Sequence, residues 1–234
     1  MRFMFALAML ASLAPSADIQ AWRDLLGQGK NAEALAAVEK SAATNDPDAL
    51  DFLGWFYDEG RGVAIDKARA AATYRRAAEA GQKHAQWRLG VMLDKGEGVT
   101  SDPAAAVGWF MKSAAQGFTN AYVSLGVMYS TGRGVAQDYG KALNAYREAA
   151  RRGNAHAFNE IGVAYLHGEG VAVDRQEAVA WFIIAATAGD AVGQRYLQIA
   201  GADMTKADLD RAAARATAIS HEYRLDQAAG GTAT

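Results

Sequence analysis

The chain has 234 residues and a formal net charge of −2, from 24 lysine and arginine residues against 26 aspartate and glutamate residues. This balance lacks the concentrated positive charge typical of nucleic-acid binding, so we expect no nucleic acid partner. The sequence contains no cysteine, which excludes disulfides, thiolate metal ligands and a cysteine nucleophile.

The amino terminus has the pattern of a secretory signal peptide. Met1 and Arg2 give a short positive start, residues 3–14 are apolar, and small residues follow up to Ala17. The apolar run is shorter than the roughly 20 residues that a membrane span needs. We therefore predict a signal peptide over residues 1–17 and a periplasmic or secreted protein that is not an integral membrane protein after cleavage. A buried or disordered amino-terminal helix is the alternative interpretation.

Residues 18–46 are predicted to form a degenerate capping half-repeat. A first short helix is marked by apolar residues at helical spacing, namely Ile19, Trp22 and Leu26. A second helix is marked by Ala34, Val38 and Ala42. Asn45 follows, and asparagine tolerates the left-handed backbone that often ends a helix.

Residues 47–190 repeat with a period of 36 residues and no insertions. Glycines recur at this spacing in four series: Gly54, Gly90, Gly126 and Gly162; Gly60, Gly96, Gly132 and Gly168; Gly62, Gly98, Gly134 and Gly170; Gly81, Gly117, Gly153 and Gly189. The period defines four units, at 47–82, 83–118, 119–154 and 155–190. Such a period indicates stacked helical units that bury one continuous core.

Each unit reads as two amphipathic helices, A and B. Helix A carries an i, i+4, i+8 stripe, such as Ala49, Leu53 and Tyr57, with the first glycine of the unit, Gly54, directly after its second member. A glycine inside a helix costs about 1 kcal/mol relative to alanine, so we predict a close helix approach that leaves no room for a β-carbon. Helix B is predicted to begin after an aspartate that caps its free N–H groups, namely Asp66, Asp102, Asp138 or Asp174.

After the fourth unit the pattern changes. Residues 191–225 are predicted to be carboxy-terminal capping helices, the second starting at Thr205 and covering the exposed end of the core. Residues 226–234 are predicted to be a disordered tail.

The repeating unit resembles that of the Sel-one-like repeat (SLR) family, which is related to tetratricopeptide repeats. The resemblance rests on Ala-x-x-x-Leu-Gly-x-x-Tyr-x-x-Gly-x-Gly-Val, followed by Asp, Ala, Trp-aromatic, Ala-Ala and a closing Gly, and residues 85–117 and 157–189 match almost throughout. Units one and three carry Thr73 and Ala145 in place of the tryptophan. The resemblance implies an all-α, right-handed α-α superhelical solenoid of about four units with degenerate caps.

Motifs of catalysis and cofactor binding are missing or incomplete. The segment from Gly134 to Lys141 differs in spacing from a phosphate-binding loop, and its glycines occupy ordinary repeat positions. His156 and His167 are eleven residues apart on one helix, about 16 Å of rise, so they cannot bind one metal ion. We therefore expect no enzyme activity, no cofactor and no metal.

By resemblance to tetratricopeptide repeats, helix A lines the concave face, and its variable outward positions store specificity. The predicted partner-binding residues are Asp51, Phe52, Trp55, Asp58, Trp87, Arg88, Val91, Asp94, Val127, His156, Asn159 and Glu160. Trp55, Trp87 and Arg88 are the predicted energetic anchors, because tryptophan and arginine dominate binding energy at interfaces. The alternative is that both tryptophans belong to the core between repeats.

We predict a monomeric, exported adaptor, scaffold or regulator that binds a protein or peptide partner of unknown identity on the concave face. The resemblance implies this, since the family mostly supplies adaptors, regulators and assembly factors. One alternative is a cell-wall fragment or β-lactam binding or hydrolysing envelope protein, by resemblance to cysteine-rich members whose cysteines this chain lacks. Another is a structural component of an envelope machine.

Overall fold

A computed structural model describes residues 17–223 and residue 225. This part of the chain consists of twelve α-helices and contains no β-strand. The predicted tail at 226–234 and all but the last residue of the predicted signal peptide lie outside the described residues.

The chain divides into two compact units, with the boundary in the sequence between Ser101 and Asp102. The first contains five helices: α1 (Ala17–Gly27), α2 (Asn31–Ala42), α3 (Pro47–Glu59), α4 (Lys67–Glu79) and α5 (Lys83–Lys95). The second contains seven: α6 (Pro103–Ala115), α7 (Thr119–Thr131), α8 (Tyr139–Ala150), α9 (Ala155–His167), α10 (Arg175–Thr187), α11 (Ala191–Gly201) and α12 (Lys206–Glu222). Within each unit successive helices up to α11 pack against each other, while α12 packs against α10. The predicted all-α helical-repeat fold is confirmed.

The helix ends follow the predicted capping residues. The side chain of Asp66 accepts a hydrogen bond of 2.9 Å from the backbone N–H of Arg69 at the start of α4. The equivalent aspartates cap α6, α8 and α10 in the same way. Gly60 ends α3 in the left-handed conformation at φ 69°. Asn45 also has a positive φ, of 61°, as predicted for the end of the capping half-repeat.

In the first, third and fourth repeats, the glycine in the middle of helix A packs against an aromatic ring of helix B. A β-carbon on Gly54 would lie 2.7 Å from Cδ1 of Tyr74, and one on Gly162 would lie 2.7 Å from Cδ1 of Phe182. Unstrained carbon atoms approach to about 3.5–4.0 Å, so no side chain fits there. The predicted close approach is confirmed, and the repeated aromatic residue of helix B is its cause.

The second loop glycine joins neighbouring repeats. Gly134 has φ 70°, and an added β-carbon would lie 2.8 Å from the backbone nitrogen of Ala104, near the start of α6. Gly98 approaches the start of α4 in the same manner. Both a left-handed backbone and a backbone contact therefore require glycine, which accounts for the recurring loop without a ligand.

Capping helices cover the core at both ends of the chain. At the amino-terminal end Ile19 and Trp22 of α1 are buried. At the other end Thr205 and Asp208 form a reciprocal capping box that starts α12. The buried face of α12 consists of Ala212, Ala216 and Ile219.

Candidate partner-binding surface

A groove of about 530 Å³ lies in the first compact unit, the part of the chain that ends at Ser101. We call it the unit-one groove. Its α1 side is formed by Ile19, Arg23 and Leu26, its α3 side by Asp48, Asp51, Phe52 and Trp55, and its α5 side by Gln82 and His84. The α1 residues are spaced three or four apart, and in α3 both Asp51 and Phe52 lie three or four residues from Asp48 and from Trp55, so each set forms one helix face. α3 therefore presents a mixed aromatic and acidic face to the groove.

Aromatic residues hold the α3 side of the groove in place. The ring of Phe52 meets the ring of Trp22 edge to face, with centroids 5.3 Å apart. The ring of Trp55 meets Phe56 in the same geometry at 5.3 Å, and the guanidinium of Arg61 lies 5.6 Å from the Trp55 centroid. Phe52 and Trp55 are both half-buried. Trp55 is thus neither a core residue nor a free surface residue.

Two carboxylates line the groove beside these rings. The oxygens of Asp51 lie 2.8 and 2.9 Å from Nδ1 of His84, which links α3 to α5. Burial raises the pKa of the Asp51 carboxyl above its ordinary value, and the His84 ring opposes this shift. Asp48 contacts Nε2 of Gln82 at the longer distance of 3.4 Å.

Asp58 is buried, although the sequence placed it among the outward positions. Its carboxylate is buried and binds two cations from neighbouring helices, Lys67 of α4 and Arg88 of α5. The Lys67 ammonium lies 2.5 Å from one carboxylate oxygen and donates to the Asp58 carbonyl at 2.9 Å. A buried carboxylate requires such partners, so we call these three residues the Asp58 cluster and assign it to stability.

Arg88 was predicted as an energetic anchor, but its charge is already engaged. Besides its bond to Asp58, its guanidinium lies 5.8 Å from the ring centroid of Tyr74 and 5.6 Å from that of Trp87. Trp87 in turn lies 5.7 Å from the His84 ring. Trp87 and Arg88 are half-buried, and this packing joins them to the other side chains of α3, α4 and α5.

The remaining predicted residues are spread over both units. Val91 and Asp94 of α5 are half-buried, and Val127 of α7 packs against the core of the second unit. Asn159 of α9 is buried, contrary to its predicted outward position, because it lies on the side of α9 that faces the core. Its amide donates to the side chain of the adjacent Glu160 at 3.2 Å.

His156 and Glu160 form a pair across one turn of α9. Their side chains approach to 3.5 Å, and Asp190 lies 3.9 Å from the other ring nitrogen of His156. Burial raises the pKa of the Glu160 carboxyl, and the nearby His156 opposes this shift. His156 is exposed, so of this group its ring is the part available to a partner.

The structure brings together three of the predicted partner-binding residues, Asp51, Phe52 and Trp55, in the unit-one groove. Sequence reasoning missed the α1 side of this groove, because Ile19 and Leu26 were assigned to the cap alone. The sequence did contain an indication of this side, since the charged Arg23 lies on the same helix face as Ile19 and Leu26, four residues after one and three before the other.

Two negative findings concern the described residues. They contain no group of three or more histidine, cysteine, aspartate or glutamate side chains that could hold a metal ion. Among residues 17–223, no helix is long and apolar enough to cross a membrane.

These features define a helical-repeat protein whose units are pairs of α-helices with a glycine at the contact between them. The profile of the Sel1 repeat matches four consecutive segments, residues 47–82, 83–118, 119–154 and 155–190. The chain belongs to the Sel1 repeat family, as its resemblance to Sel-one-like repeats predicted.

Solved structures of two relatives share both sequence and fold with this chain. A Sel1 repeat protein from Oxalobacter formigenes is 34% identical, with a TM-score of 0.75 over 84% of each chain. The protein c5321, described as a protective antigen of uropathogenic Escherichia coli with an SLR fold, is 31% identical with a TM-score of 0.73. That match covers 83% of this chain and 43% of c5321.

A more distant structure shares the fold alone. The immunity protein Pa5087 from Pseudomonas aeruginosa is 19% identical, with a TM-score of 0.55 over 86% of this chain and 77% of its own. A search of the curated proteins found no match. Sel1 repeat proteins are generally protein-interaction scaffolds and typically non-catalytic, which agrees with the predicted class of function.

Proposed function

We propose that this chain is an exported scaffold that binds a protein or peptide partner through the unit-one groove and performs no catalysis. The observation that supports this most is the groove itself, where the partly exposed rings of Phe52 and Trp55 lie beside the carboxylates of Asp48 and Asp51. Large aromatic side chains next to polar groups are typical of binding hot spots. The first compact unit supplies every residue that lines the groove, so a monomer suffices to form it.

The rings are already positioned for binding. Phe52 packs against Trp22, and Trp55 packs against Phe56 with the guanidinium of Arg61 nearby. Side chains that are fixed before binding lose little conformational entropy when a partner docks, so more of the contact energy appears as affinity. Trp55 therefore remains the best single position at which to test the proposal.

Capture of a partner from an envelope extract tests the binding proposal. The wild type, Trp55→Ala and Arg75→Ala are immobilised, and captured proteins are quantified by mass spectrometry. Arg75 is exposed on α4 and does not line the groove, so it is the matched control. We expect a protein captured by the wild type and by Arg75→Ala to be depleted about tenfold or more with Trp55→Ala. Equal capture by all three proteins would contradict the proposal, provided that circular dichroism shows Trp55→Ala to be folded.

The export part of the proposal is supported by the positive start at Met1 and Arg2 and by the apolar run at 3–14. Cell fractionation tests it with the wild type and with a variant that interrupts this run, Leu7→Arg with Leu10→Arg. We expect the wild type outside the cytoplasm with its amino terminus shortened, and the variant retained at full length. An unprocessed wild-type protein in the cytoplasm would exclude export.

A further inference from the structure

The unit-one groove contains two carboxylates, and only one of them is already well bonded. Both oxygens of Asp51 lie within 2.9 Å of Nδ1 of His84. Asp48 has only the 3.4 Å contact with Nε2 of Gln82, and no ion pair involving its carboxylate occurs among residues 17–223. Asp48 therefore has lone pairs to offer to a ligand.

The carboxylate of Asp48 lies at the positive end of a helix dipole. It lies in the first turn of α3, directly after Pro47, where the free N–H groups and the helix dipole stabilise negative charge. Asp48 is also half-buried, so its field is less screened by water than that of an exposed carboxylate. The one guanidinium in the groove lining, that of Arg23, is on an exposed residue of α1 and forms no ion pair with Asp48.

The neighbourhood of Asp48 is apolar. Phe52 and Trp55 follow it at four and seven residues along α3, on the same helix face, and Ile19 and Leu26 lie opposite on α1. The volume of about 530 Å³ is within the range of roughly 300–1,000 Å³ that is common for ligand pockets, so it suits a few side chains and not a whole domain.

We propose that the unit-one groove recognises a peptide segment in which a basic side chain stands next to a large apolar one. The basic group pairs with Asp48, and the apolar side chain packs on Phe52 and Trp55. An arginine would serve best, since its planar guanidinium binds a carboxylate in two-pronged fashion and stacks on aromatic rings. An acidic segment would instead be repelled by the carboxylate of Asp48. This inference rests on the proposed function and specifies the chemistry of the partner.

Pooled decapeptides with two fixed central residues and random flanks test the proposal. The four pools fix basic-apolar, acidic-apolar, basic-polar and neutral-polar pairs, and binding is measured by fluorescence anisotropy. We expect the basic-apolar pool to bind most tightly to the wild type. Hydrogen bonds to charged groups contribute about 1.5–3 kcal/mol, so Asp48→Asn should weaken that pool by about tenfold or more. Raising the salt concentration should weaken the same interaction.

Asp24→Asn is the matched control, because it removes the same charge from α1 at an exposed position that does not line the groove. It should bind the basic-apolar pool as the wild type does. Should Asp48→Asn fail to fold, the salt dependence of the wild type still reports on the ion pair.

Failure of this inference and failure of the proposed function give different results. Binding of both apolar pools with no preference for a basic residue, abolished by Trp55→Ala, would overturn the inference and leave the groove as a binding site. Preference for the acidic-apolar pool would also overturn it. Binding that neither Trp55→Ala nor Asp48→Asn changes would contradict both.

Discussion

Replacing Gly126 with alanine tests the contact that joins the two helices of a repeat. Gly126 lies inside α7, and an added β-carbon would stand 2.6 Å from Cδ1 and 2.7 Å from Cζ of Tyr146. Ordinary carbon contacts are about 3.5–4.0 Å, so the overlap is close to 1 Å. Tyr146 is itself buried in the core of the second unit, so its ring has little freedom to move aside.

Two opposing effects set the magnitude. Alanine in place of glycine favours a helix interior by about 1 kcal/mol. Overpacking a tight core costs about 1–3 kcal/mol, and the overlap with several ring atoms indicates the upper end. We therefore expect Gly126→Ala to lose about 2 kcal/mol of unfolding free energy, or about 4–8 °C in Tm for a chain of this size.

Gly108→Ala is the matched control, because Gly108 also lies inside a helix, α6, but a β-carbon there would meet no atom within 4 Å. In urea denaturation we expect it to gain about 0.5–1 kcal/mol. In a Tyr146→Leu background the loss from Gly126→Ala should shrink, since the ring is gone. A Gly126→Ala protein as stable as Gly108→Ala would refute the proposed cause of the repeated glycine.

Three further predictions concern loops, buried charge and pH. Gly134→Ala should lose about 2 kcal/mol or more of unfolding free energy, measured by urea denaturation. A left-handed backbone costs an alanine about 1–2 kcal/mol, and the contact near Ala104 adds to this cost. An unchanged urea midpoint would contradict this. Asp58→Ala should lose about 3 kcal/mol of unfolding free energy, the lower end for a broken buried pair, because one of its two cations, Lys67, is 41% exposed. Asp138→Ala, which removes an exposed helix cap, should lose clearly less. Equal losses would refute the importance of the Asp58 cluster. Burial raises the pKa of Glu160, so its ionised form is disfavoured in the folded state. The stability of the wild type relative to Glu160→Gln should therefore be greatest at low pH and fall as pH rises through the folded pKa. A difference in Tm that rises with pH between 4 and 8 would contradict this.

Within residues 47–190, the period and the residue types at its positions were sufficient to predict the helices and their ends. Aspartate before helix B and glycine after each helix act locally, on backbone groups within a few residues, so their roles are readable without a structure. The close packing at the glycines inside helix A was predictable too, because four unfavourable residues at one spacing require a common cause. The aromatic partners of Gly54, Gly126 and Gly162, such as Tyr146 for Gly126, followed only from the packing.

The candidate site was less predictable, because it depends on contacts between distant parts of the chain. Asp58 was expected to face outward by its position on α3, yet it is buried and paired with cations from α4 and α5. The groove depends on how α1 lies against α3, which the period does not describe, since α1 precedes the complete repeats. A residue's position in the repeat therefore predicted packing better than it predicted exposure.

The most direct test of the proposed binding site is photo-crosslinking from a benzophenone amino acid at position 55, with position 75 as the control. In cells that produce the full chain, we predict a discrete crosslinked partner from position 55 and not from position 75, with the attachment point mapped by mass spectrometry next to a basic residue of the partner. Crosslinks from position 75 but not from position 55 would show that the partner binds elsewhere and would contradict the account.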